Sequence, residues 1–85
     1  MITVYTQPGC GPCKQAIAAL DVHGVQYQVI DIREDPESLE HIKELGATGT
    51  PVIENDEGFC ILGYGEAAKS QLENLIKWEQ GYWLH

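Results

Sequence analysis

Cys10-Gly11-Pro12-Cys13 comes directly after an apolar run that reads as a strand and opens directly into a helical pattern. Two thiols separated by two residues can close on each other. With Cys10 at the N-cap and Pro12 in the first turn, the unpaired N–H groups and the positive end of the helix dipole point at the Cys10 sulfur and favour its thiolate. The thiolate is the attacking species in thiol–disulfide exchange. Cys13, one turn further in, is placed to attack a mixed disulfide formed at Cys10. Structural and metal-binding pairs use the same spacing, so the surrounding chain must discriminate between these readings.

Upstream, Ile2-Thr3-Val4-Tyr5-Thr6 alternates β-branched and aromatic residues and stops at Gln7-Pro8-Gly9, which makes it a strand ending in a turn. Downstream, Cys13, Ala16, Ile17 and Leu20 fall at i, i+3, i+4 and i+7, one face of a helix, with Lys14, Gln15 and Asp21 away from it. Gly24 supplies the stop. That face predicts a buried Cys13, whereas Cys10 at the helix tip is exposed, the asymmetry a nucleophile and a protected resolving thiol require. Strand character returns over residues 25–32, continuously apolar around Val29 and Ile30. A strand, a helix and a strand joined by short turns predict a right-handed βαβ unit with parallel strands.

Asp35-Pro36 marks a second helix, Asp35 as N-cap and Pro36 at the first helical position, with Leu39, Ile42 and Leu45 inward and Gly46 as the stop. Glu37, Glu40, Lys43 and Glu44 form its solvated face. In Ala47-Thr48-Gly49-Thr50-Pro51-Val52-Ile53, Pro51 precedes a short strand and has no N–H to give a ladder, so it needs an edge, a strand start or a cis bond. Composition alone favours an ordinary trans bond, since only about 5–6% of X–Pro bonds in folded proteins are cis. Asn55-Asp56-Glu57-Gly58 is a hairpin turn into the antiparallel strand Phe59-Cys60-Ile61-Leu62. Gly63-Tyr64-Gly65 breaks that strand. A last helix runs from about Glu66 to Glu79 with Ala68, Leu72, Leu75 and Ile76 inward. Gly81 ends it, and Tyr82-Trp83-Leu84-His85 reads as an aromatic tail packed on the surface.

Bulk properties narrow the function. At 85 residues the chain reads as one domain over 1–85, with a small core. No apolar run approaches the roughly 20 residues needed to span a bilayer, and no secretory signal pattern is present. Three cysteines, two of them in one tight motif, do not make a secreted disulfide scaffold, and a reducing cytoplasm fits better. Thirteen acidic residues against five basic ones, a formal charge of −8, argue against binding a nucleic-acid backbone. The charge serves solubility or a partner with a basic face equally well.

The order strand, Cys-x-x-Cys helix, strand, helix, Thr-Pro strand, hairpin strand, Gly-rich turn, helix resembles the glutaredoxin branch of the thioredoxin superfamily across essentially the whole chain. Within that branch it looks most like the redoxins of the NrdH type. The resemblance implies an α/β, thioredoxin-like fold: a four-stranded mixed sheet in the order 2-1-3-4 flanked by three helices. It also implies Cys10 as nucleophile, Cys13 as resolving thiol, and a cis bond at Thr50-Pro51, with the Thr50 backbone pairing with a partner's extended chain beside Cys10. Gly11, Pro12, Gly63 and Tyr64 complete the implied partner-binding set. The implied partners are a ribonucleotide reductase, whose disulfide the chain reduces, and an NADPH-dependent thioredoxin reductase that restores the dithiol. The implied carrier is a cytoplasmic monomer, or one in a host's cytoplasm if virus-encoded, that binds no cofactor, works through the Cys10–Cys13 disulfide and draws its electrons indirectly from NADPH.

The chain also departs from the pattern. Redoxins of this type have Val-Gln between the cysteines and a Trp-Ser-Gly-Phe-Arg-Pro-Asp run before the last helix; here stand Gly11-Pro12 and Ile61-Leu62-Gly63-Tyr64-Gly65-Glu66-Ala67. Gly-Pro is the insert of thioredoxins, whose disulfides are strongly reducing, about −270 mV. Glutathione-dependent glutaredoxins, the alternative reading, carry Pro-Tyr between the cysteines, a basic residue just before them and a glycine pair after the fourth strand. Thr6-Gln7-Pro8-Gly9 offers no such cation, and Tyr64 breaks the glycine pair. A metal-cluster or regulatory module is the remaining class. His23, His41 and His85 have no spacing that joins them to the cysteine pair, and Cys60, among apolar neighbours in a strand, reads as a core residue.

Overall fold

Alternation sorts the side chains of the first strand onto two faces, and the rest of the molecule is built on that division. The computed structural model describes residues 1–81. Strand β1 (Ile2–Thr6) runs parallel to β2 (Tyr27–Asp31) and antiparallel to β3 (Val52–Glu54), which pairs antiparallel with β4 (Cys60–Leu62). The resulting mixed sheet has the order β2-β1-β3-β4. Helices α1 (Gly11–His23), α2 (Pro36–Glu44) and α3 (Glu66–Glu79) are the helices of the described residues. On one face Ile2, Val4, Ile53 and Ile61 bury against Ala16 and Leu20 of α1 and Leu72, Leu75 and Ile76 of α3. On the other, Tyr5, Val52 and Ile32 pack with Ile42 of α2.

Each helix begins and ends where its sequence says it must. Asp35 caps α2 by accepting the Ser38 N–H, and Pro36 follows it in the first turn. At the end of α1, Gly24 takes φ 67°, and the Val25 N–H returns to the Leu20 carbonyl at 3.2 Å. That bond shortens the strand predicted over 25–32, because Val25 closes the helix instead of entering the sheet. Beyond Asp31 the Ile32 N–H still donates to the Thr6 carbonyl at 2.9 Å before the chain turns off. Val29, at the centre of the apolar run, lies on an edge strand and is 46% exposed. Its residue type marks a strand without marking burial.

The hairpin joining β3 to β4 is built by Asn55, a buried polar residue whose Oδ1 accepts the N–H groups of Glu57 (3.0 Å) and Phe59 (2.9 Å). Those bonds keep Phe59 in the turn, so β4 starts one residue later than the sequence predicts. Cys60 is a correction. On the edge strand β4 it is half-buried and lines an open recess with Leu62 and the start of α3, so it is not sealed in the core. The aromatic tail at 82–85 lies outside the described residues.

Helix α2 is fastened to the sheet by polar contacts that the sequence does not announce. The Tyr5 hydroxyl donates to Glu54 Oε1 at 3.1 Å, and His41 Nε2 lies 2.9 Å from the same oxygen and 3.1 Å from Oε2. The Tyr5 and His41 rings are 5.8 Å apart and tilted. Burial, then the hydrogen bond and charge of Glu54, push the Tyr5 hydroxyl pKa up to about 12.

Candidate redox site

The site starts from the point where β1 hands over to α1. After Thr6 the chain turns through Gln7-Pro8-Gly9, Gly9 at φ 79°, and places Cys10 at the N-cap of α1 in extended conformation. Its Sγ accepts the backbone N–H of Cys13 at 3.2 Å. Pro12 has no N–H of its own to offer the sulfur. The Lys14 N–H returns to the Cys10 carbonyl. Although the protein carries a formal charge of −8, the first turn of α1 holds no acidic residue. The positive end of the helix dipole is therefore unopposed at the sulfur.

Cys10 and Cys13 are joined as a disulfide, their Cα atoms 5.3 Å apart. The two sulfurs differ in access. Cys13 is 1% exposed, on the buried face with Ala16 and Leu20, while Cys10 is half-exposed at the tip. The opposite wall comes from the segment before β3. The Thr50–Pro51 peptide is cis, and the Thr50 carbonyl oxygen lies 3.6 Å from Cys10 Sγ. Pro51 is buried, and its carbonyl accepts the N–H of Gly63 at 2.8 Å, with Gly63 at φ 83°, a region in which a side chain would be strained. Gly46 through Thr50, with Leu62 and Gly63, line a surface recess of about 250 Å³.

Of the residues singled out from the sequence, Cys10, Cys13 and Thr50 meet directly, and Pro51 and Gly63 are tied together beside them. Gly11 and Pro12 are exposed on the first turn of α1. Tyr64 is placed differently: its ring packs against the core cluster between the sheet, α1 and α3, with Lys69 Nζ 6.0 Å from its centroid. Among the described residues no group of three His, Cys, Asp or Glu side chains converges as metal ligands, and no helix is long and apolar enough to cross a membrane.

Residues 2–59 match the glutaredoxin family model. The chain belongs to the glutaredoxin family. This glutaredoxin is 42% identical over 64 residues to the gene 56 protein of Mycobacterium phage D29, covering 74% of this chain and 71% of that one. It is 33% identical over 72 residues to the glutaredoxin-like protein NrdH of Lactococcus lactis, covering 85% of this chain and 99% of that one. Among solved structures the NrdH-redoxin of Escherichia coli superposes with a TM-score of 0.71 at 23% identity, over 81% of this chain and 91% of that one, a likeness of fold. A glutaredoxin-like redoxin with a closed Cys10–Cys13 pair is a thiol–disulfide oxidoreductase.

Proposed function

We propose that this glutaredoxin is a dithiol electron donor that reduces a disulfide on a partner protein. Cys10 attacks the partner, Cys13 resolves the mixed disulfide, and the carrier leaves oxidised. The observation that supports this best is the unequal access of the two sulfurs, Cys10 half-exposed at the dipole end of α1 and Cys13 sealed behind it. The Gly11-Pro12 insert agrees with a reducing role. In the complex, the Thr50 backbone pairs with the partner's extended chain, and Gly11, Pro12 and Gly63 form the surrounding surface, with Pro51 buried beneath it. The partner is a ribonucleotide reductase, and an NADPH-dependent thioredoxin reductase restores the dithiol; likeness to a protein called NrdH supports this assignment. The carrier works as a monomer in the cytoplasm. If the protein is virus-encoded, a reading that likeness to a phage protein supports, that cytoplasm is a host's.

Two experiments test the reading. The oxidised protein is incubated with NADPH and thioredoxin reductase, or with NADPH, glutathione reductase and glutathione. Rapid NADPH consumption in the first mixture alone is the expected result; consumption in the glutathione mixture alone refutes it. A Cys13→Ser variant leaves the mixed disulfide unresolved, so ribonucleotide reductase is captured through Cys10. Failure to capture it, with Cys10 reactive, removes that partner.

A further inference from the structure

The end of the molecule away from Cys10 carries an apolar cleft that the redox chemistry does not use. Strand β1 leads toward Cys10 from its last residue, whereas the hairpin after Glu54 lies beside its start, where Thr3 pairs with Glu54. Between that hairpin and the last turns of α3, Asn55, Glu57, Phe59, Asn74, Leu75 and Trp78 line a space of about 420 Å³, within the range of small-molecule sites. Leu75 is buried, while Phe59 and Trp78 are each half-exposed. Trp78 Nε1 donates to Glu57 Oε1 at 3.0 Å, which satisfies the polar atom of the indole and fixes the ring as a wall. The same bond engages the one charged side chain among the described lining residues, so the cleft suits an apolar occupant.

The sequence supplies such an occupant within reach. Tyr82-Trp83-Leu84-His85 follows Gly81, which takes φ 77° and returns its N–H to the Trp78 carbonyl at 3.1 Å, turning the chain off the axis of α3 beside the cleft. Asn74 and Trp78 are about 6 Å apart along the helix, and three extended residues cover about 10 Å, so Trp83 and Leu84 can span the cleft. The segment holds no acidic residue for Glu57 to repel. A second copy, by contrast, brings another formal charge of −8 against the first.

We propose that the cleft is the docking site of this chain's own segment 82–85, with the Trp83 ring seated between Phe59 and Trp78. Offset or edge-to-face contact with the two rings favours that seat beyond the area it buries. The docked segment straps the β3–β4 hairpin to α3 and covers apolar surface that another protein would otherwise meet. It does so at the opposite end of β1 from Cys10, so the proposal is independent of the donor reading and of which protein the carrier serves.

The test is a double-mutant cycle in the oxidised full chain, comparing Phe59→Ala, Trp83→Ala and their combination by urea unfolding. Rings in contact couple the two substitutions by about two- to tenfold in the unfolding equilibrium. Additive effects overturn the proposal. In the native protein, nuclear Overhauser contacts join the Trp83 ring to Phe59 and persist unchanged on dilution. Contacts that vanish on dilution, together with a dimer in sedimentation, give the cleft to a second copy, and no contacts at any concentration leave it to a foreign partner; either outcome overturns the proposal. Reduced Trp83→Ala keeps the native pH dependence of Cys10 alkylation, and a shifted profile overturns the separation of the two ends.

Discussion

Replacing Tyr5 with Phe reverses the order of stability between neutral and strongly alkaline solution. Tyr5 is 7% exposed, and its hydroxyl pKa rises from 10.0 to about 12 because burial and Glu54 both disfavour the phenolate. Below pH 10 the folded and unfolded chains both hold the proton, and the tyrosine contributes its full share. Between about 10 and 12 only the unfolded chain releases it, so stability falls as pH rises, reaching a loss of about 2–3 kcal/mol at 1.36 kcal/mol per unit. Phe avoids that loss entirely. At neutral pH it forfeits the bond to the Glu54 carboxylate, worth about 1.5 kcal/mol. The two stability curves therefore cross at about pH 11, native above variant at neutral pH and below it at the alkaline end. Urea unfolding of both oxidised proteins, followed by far-ultraviolet circular dichroism in steps of pH, measures the difference, and the other tyrosines cancel in it. A gap that stays constant across the range refutes the reasoning, because the Tyr5 hydroxyl would then ionise alike in both states.

Cys10→Ser abolishes disulfide reduction in a standard protein-disulfide assay, whereas Cys60→Ser keeps turnover within about twofold, since Cys60 packs as a small half-buried side chain. Ile53→Ala removes a fully buried side chain from the sheet centre and lowers stability by about 2–5 kcal/mol in urea, with no change in the alkylation profile of Cys10. The hydrogen bonds from Ser38 to Asp35 hold that carboxyl below its ordinary range. Its contribution is thus present above the ordinary carboxylate pKa and lost as pH falls through the lowered value. Asp35→Ala is accordingly less stable than native at neutral pH, and acid titration of helicity brings the two proteins together.

Local signals reached much of this molecule. The alternation in residues 2–6, the Asp35-Pro36 start and the spacing of Ala68, Leu72, Leu75 and Ile76 are short-range patterns, and they mark β1, α2 and α3 where the structure has them. The pairing of Cys10 with Cys13 is equally local. What escaped depends on partners far along the chain. Val29 and Cys60 look like core residues by type, and only the strand order puts both on edges. Tyr5 and Glu54 are separated by 49 positions, and their bond, with His41 completing it, follows from the register of β1 on β3. The approach of the Thr50 carbonyl to Cys10 is invisible for the same reason. Nothing around residue 50 says that residue 10 will stand beside it.

The Cys10–Cys13 bond spans a sequence separation of only 3, so it closes a very small ring. Restricting so short a loop stabilises a chain by about 2 kcal/mol in the chain-entropy account, less than the bridges of disulfide-built scaffolds supply. The bond is a latch and not a rivet: the apolar layers on both sides of the sheet hold the architecture whether it is shut or open. A thiol–disulfide oxidoreductase whose bond opens and closes needs that division of labour, and it keeps the difference in melting between the two redox forms small, on the order of that loop-closure contribution.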